Sequence, residues 1–112
     1  MKVTVIAKFQ FEGLHYWPLC PHEEVEYLKH PHRHVFFVEA EKLVSHDDRD
    51  TEFIMLKHRA LELIQKLYPV KDGLHTLGTS SCEQIAKSLI IGLGLCSASV
   101  FEDNENGAKV YK

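Results

Sequence analysis

The sequence predicts an α+β domain in which an antiparallel four-stranded sheet carries two helices on one face, in the order ββααββ. Three observations predict it. An alternating apolar stretch opens the chain, two amphipathic stretches with helix caps fill its second half, and two short strands around a polar turn close it.

Val3, Val5, Ala7, Phe9 and Phe11 alternate with mostly polar neighbours, the period-2 pattern of a strand with one buried face. Residues 12–31 combine Gly13, Pro18, Pro21 and Pro31 with Glu23, Glu24 and Glu26, the composition of a loop containing at most a short helical turn. A second strand runs from about His32 to Val44, around the apolar run Val35-Phe36-Phe37-Val38. The acidic group His46-Asp47-Asp48-Arg49-Asp50 makes a turn.

Phe53, Leu56, Ala60, Leu61, Ile64 and Leu67 recur at helical spacing and predict a helix over Thr51–Tyr68, capped by Asp50 or Thr51 and stopped by Pro69. A second helix opens at Ser80, where Ser80 and Glu83 fit the S-x-x-E capping box. Its apolar face is Ile85, Ala86, Leu89 and Leu93, and Gly94 ends it. Ser97–Glu102 and Ala108–Tyr111 close the chain as strands joined by the polar turn Asn104-Glu105-Asn106-Gly107.

The 112 residues fit one domain, residues 1–112, with one core. A net charge of −3 argues against a general nucleic-acid binder, which would be basic. No stretch approaches the roughly 20 apolar residues of a membrane span. Cys20, Cys82 and Cys96 are odd in number and widely spaced, which fits free thiols and a cytoplasmic setting better than a disulfide framework. Cys82 and Cys96 lack a C-x-x-C partner, so no structural zinc site is indicated for them.

Eight histidines stand out in the composition. His30 and His32 form H-P-H at the start of the second strand, and residues i and i+2 of a strand share a face. Two imidazoles can therefore converge on one ion. His15, closing the first alternating stretch, is the best third. Three neutral imidazoles suit a catalytic Zn2+ that keeps a fourth position open. His22, His46 and His58 read as solvated.

In this order of elements the chain resembles the 6-pyruvoyltetrahydropterin synthase and 6-carboxytetrahydropterin synthase family, of the tunnelling fold. The family's F-x-A-x-H resembles Phe11-Glu12-Gly13-Leu14-His15, and its H-G-H-x-Y resembles His30-Pro31-His32-Arg33-His34. Its D-F-x-x-L-K is similar to Glu52-Phe53-Ile54-Met55-Leu56-Lys57, and its P-T-x-E-x-I-A to Ser80-Ser81-Cys82-Glu83-Gln84-Ile85-Ala86. Its closing E-T, with a later Ala and Tyr, resembles Glu102-Asp103 with Ala108 and Tyr111.

The resemblance implies a zinc-dependent lyase acting on 7,8-dihydroneopterin triphosphate, in 7-deazaguanine (queuosine-type) or pterin biosynthesis. His15, His30 and His32 would hold the zinc, Glu102 the pterin ring, and His34, in place of the family tyrosine, would have a structural or supporting role. It also implies a homo-oligomer with sites at subunit interfaces. The proton-handling residues depart from the family. Its cysteine, four to six residues before H-G-H, is replaced by Glu26 at four residues, as in a branch that releases a 6-hydroxymethyl pterin, and Cys20 lies ten residues before His30. Its Asp-His pair is replaced by Asp72 and His75 around Gly73. Glu26, Cys20, Asp72 and His75 are the expected proton-transfer residues. The alternative is a non-catalytic metal- or pterin-binding homologue without that relay.

Overall fold

A computed structural model describes all of residues 1–112. Two long strands, β1 (Val3–His15) and β2 (His32–Val44), pair antiparallel over their full length, from Val3 opposite Val44 to His15 opposite His32. Alternation assigns their faces. Ala7, Phe9, Phe11, Gly13 and His15 of β1 are buried, while Lys8, Gln10 and Glu12 between them are exposed. On β2 the same face carries Phe36, Val38 and Ala40, all at most 1% exposed. A 3-10 helix, Glu23–Lys29, links the two strands.

Helix α1 (Phe53–Leu67) buries Leu56, Ala60 and Ile64, and helix α2 (Cys82–Leu93) buries Cys82, Ile85, Ala86, Leu89 and Ile90. These side chains share one core with the inner faces of β1 and β2. The caps sit one or two residues from their expected places. Glu52, rather than Asp50 or Thr51, caps α1 by accepting from the N–H groups of Ile54 and Met55 at 2.8 and 3.2 Å. The capping box of α2 is Ser81 with Gln84, not Ser80 with Glu83. Gly94 ends α2 in the left-handed region at φ 65°, where a Cβ would be strained.

The sheet corrects the expectation of four antiparallel strands in the order ββααββ. It has six strands in the order β3-β4-β1-β2-β5-β6, where β3 is Val70–Lys71, β4 Leu74–Gly78, β5 Ser97–Glu102 and β6 Gly107–Tyr111. It is also mixed, since β4 runs parallel to β1. The cause is local. Asp72 (φ 53°) and Gly73 (φ 82°) both take positive φ between the paired Lys71 and Leu74, the requirement of a type I′ hairpin turn. That hairpin returns the chain along the free edge of β1 and drops Leu77, 3% exposed, into the core.

At the other edge β5 pairs with β2, and β6 with β5, both antiparallel. Gly107 is required here, because a Cβ would lie 2.6 Å from the Cα of Phe101 and still closer to the carbonyl of Val100. All three cysteines are free thiols. No helix is long and apolar enough to cross a membrane.

Candidate metal centre

Strand parity gathers four side chains at one end of the core-facing surface. His15 lies opposite His32 across β1 and β2, His34 opposite Gly13, and Phe36 lies between Phe11 and Glu102. Every second residue shares a face, so His32, His34 and Phe36 point the same way as His15 and Glu102. Fully buried Phe36 forms the floor, with the rings of His15 and His34 edge-on to it at centroid distances of 5.3 and 5.8 Å. One candidate ligand atom from each of His15, His32, His34 and Glu102 lies within 4.8 Å of all the others.

The hydrogen bonds determine which nitrogens face inward. Nδ1 of His15 lies 2.8 Å from the carbonyl oxygen of Ser80, and Nδ1 of His32 lies 2.8 Å from that of His30. Nδ1 of His34 lies 2.7 Å from Oδ2 of Asp103. All three partners are acceptors, so each Nδ1 carries a proton and donates it. In a neutral imidazole the lone pair is then on Nε2. Fixing the outer nitrogen of a histidine in this way is how proteins orient metal-binding imidazoles.

The inner atoms are short of protons. Nε2 of His15 is 2.9 Å and Nε2 of His34 is 3.4 Å from Oε2 of Glu102. Despite its short contact, buried Nε2 of His15 has no hydrogen bond of acceptable geometry. A lone pair facing a carboxylate at this distance needs a positive charge, either a second proton on the ring or a cation among the four donors. Burial works to lower the pKa of His15, but the Glu102 contact, the Ser80 carbonyl and the Glu102 charge together raise it. The His15 contact, with the charges of His34, His15 and His32, holds Glu102 below the ordinary carboxylate range against the opposing effect of burial. The donor set fits a cation.

A cavity of about 520 Å³ opens beside the cluster. It is lined by His15, His32 and Glu102 of the cluster and by Thr79 to Gln84, which run from the approach to α2 into its first turn. Tyr16, Trp17 and Leu28 supply apolar surface, and Asn106 and Gly107 of the closing hairpin also line it. Cys82 faces this space as a neutral thiol, since burial, reinforced by the charges of Glu102 and Glu83, pushes its pKa up to about 12.

The other expected site residues lie elsewhere. His30 precedes β2 and contributes its backbone carbonyl to His32, while the cluster takes the ring of His34. Glu26 is exposed on the 3-10 helix, 3.6 Å from Lys29. Buried Cys20 directs its thiol to the carbonyls of His22 and Val25 at 3.8 Å. Asp72 occupies the tip of the β3–β4 hairpin. His75 donates from Nδ1 to the Tyr68 carbonyl at 2.6 Å and packs edge-on against Phe11. None of these five lines the cavity.

No model of a known protein family matches this chain, and no curated protein matches it. The site stands on its own chemistry: His15, His32, His34 and Glu102 form a cluster that could hold a metal ion.

Proposed function

We propose that this chain is a zinc-dependent lyase of the 6-carboxytetrahydropterin synthase type, acting on 7,8-dihydroneopterin triphosphate in 7-deazaguanine (queuosine-type) or pterin biosynthesis. The observation that carries the reading is the convergence of three imidazoles, each anchored through Nδ1, beside a cavity. Neutral imidazoles with a carboxylate are a donor set that suits zinc. The order of motifs along the chain supplies the pterin assignment by resemblance.

In this reading His15, His32 and His34 hold the ion, and Glu102 borders both the ion and the cavity. Bound zinc supplies Lewis acidity that eases loss of protons beside the substrate's hydroxyl groups. Glu102, ionised because its pKa is lowered, is suited to accept hydrogen bonds from the amino group and ring N–H of a pterin. Trp17 and Leu28 offer apolar surface to the heterocycle. An oligomer with sites at subunit interfaces belongs to the same proposal.

The second reading is a metal- or pterin-binding homologue without turnover. It is favoured by the absence of Glu26, Cys20, Asp72 and His75 from the cavity wall. One experiment separates the two. Zinc-loaded protein is incubated anaerobically with 7,8-dihydroneopterin triphosphate and the products are identified by mass. A 6-carboxy, 6-pyruvoyl or 6-hydroxymethyl pterin establishes the lyase. Unchanged substrate at full zinc occupancy rules it out in favour of the binding protein.

A further inference from the structure

We propose that Asp103 is a positioning residue of the metal centre, fixing His34 in the Nδ1–H tautomer and aiming its Nε2 at the ion. The inference rests on the metal-centre reading above. It starts from the β5–β6 turn, where consecutive side chains reach the same cluster by different routes. Glu102 offers a carboxylate oxygen to the inner nitrogens of His15 and His34. Asp103, next in sequence, places Oδ2 at 2.7 Å from the outer nitrogen of His34.

The Asp103 carboxylate is held in place by β2. Its Oδ1 accepts from the Val35 N–H at 3.0 Å, and the Asp103 N–H donates to the Val35 carbonyl at 2.7 Å. Asp103 thereby grips the residue that follows His34 with two bonds and the His34 ring with a third. To do so its backbone takes φ 54°, in the left-handed region that costs most residues energy. The other two imidazoles rest on neutral backbone carbonyls, so His34 alone has a carboxylate behind it. A carboxylate at the outer nitrogen fixes the ring, makes the inner nitrogen a stronger donor, and commonly contributes 10- to 100-fold in metal affinity.

Two substitutions test this without straining the turn, because both Asn and Gly accept positive φ. Asp103→Asn keeps one acceptor oxygen for two N–H donors. Asp103→Gly removes both. Zinc affinity would be measured by chelator competition, and cobalt would report ligand geometry through its visible spectrum. The side-chain nitrogen NMR shifts of His34 would be read in the metal-free proteins. We expect wild type to bind most tightly, Asp103→Asn less tightly, and Asp103→Gly about 10- to 100-fold more weakly than wild type. His34 should be the Nδ1–H tautomer in wild type and lose that preference in Asp103→Gly.

A residue that only stabilised the turn would leave the His34 tautomer unmoved. Equal zinc affinities in the three folded proteins, or a wild-type His34 protonated at Nε2 alone, would overturn the role of Asp103 while leaving the centre intact. Failure of the wild-type protein to take up either ion would overturn the centre itself, and the proposal with it.

Discussion

At the scale of single residues, a side chain that enters the cluster and one that merely neighbours it should respond differently to removal. His34 offers its ring to the cluster, whereas His30 offers only a backbone carbonyl to His32. We therefore predict that His34→Ala abolishes stoichiometric zinc binding and that His30→Ala retains it, as measured by metal content after dialysis. The cluster is partly legible in the sequence. The sequence points to His15, His30 and His32 as ligands and to Glu102 as the pterin's partner, whereas the cluster is His15, His32, His34 and Glu102, because the spacing in His30-Pro31-His32-Arg33-His34 offers two overlapping i, i+2 pairs. The start of the strand decides between them. Pro31 has no N–H to give a ladder, His30 ends the 3-10 helix, and pairing begins at His32. Parity then selects His32 with His34.

Protonation belongs to the same scale, and its sign differs between metal-free and metal-bound protein. His15 has a pKa raised above 6.5, so its charged form contributes stability that is full below that value and lost as pH rises through the folded value. Glu102 has a pKa lowered below 4.5, so its contribution is present above that value and lost as pH falls through the folded one. The metal-free pair is therefore strongest between about 4.5 and 6.5, the reference values of the two groups. Zinc requires the inner nitrogens free of protons, so its affinity increases with pH. The rise in melting temperature on adding zinc should thus grow from pH 5.5 to pH 7.5, and thermal melts at fixed zinc concentration measure it.

At the scale of elements, caps and turns decide what the hydrophobic pattern leaves open. Both main helices and the two long strands were legible because each carries enough apolar periodicity to define a buried face, and the closing hairpin because a polar turn ending in Gly107 separates its two strands. The β3–β4 hairpin was not, since the two residues of β3 carry no pattern and β4 buries only Leu77. Its available signal was the dipeptide Asp72-Gly73, a preferred type I′ turn. Asp72, expected with His75 as a proton-transfer residue, is the first residue of that turn. Cap positions shifted because neighbouring polar residues compete for the same N–H groups, and Glu52 rather than Thr51 won at α1. Glu52→Ala should therefore cost about 1 kcal/mol. Thr51→Ala should stay within about 0.5 kcal/mol. Urea denaturation of both variants distinguishes the caps.

At the scale of the whole molecule, the candidate metal cluster joins parts of the chain far apart in sequence. His15 ends β1, His32 and His34 begin β2, Glu102 ends β5, and Ser80 leads into α2 while holding His15. An ion at this point cross-links both long strands and the closing hairpin, and Ser80 ties the entry of α2 to them through His15. The unfolded chain presents no such preformed set, so binding energy becomes folding energy. Zinc at 100 times its dissociation constant would add about 2.7 kcal/mol. For a domain of this size 1 kcal/mol corresponds to roughly 4–8 °C, so a chelator should lower the melting temperature by about 10 °C or more. His34→Ala, lacking one donor, should melt at the same temperature with and without chelator. An equal response in both proteins would place the ion elsewhere, whereas a response confined to wild type would tie the stability of the whole sheet to these four side chains.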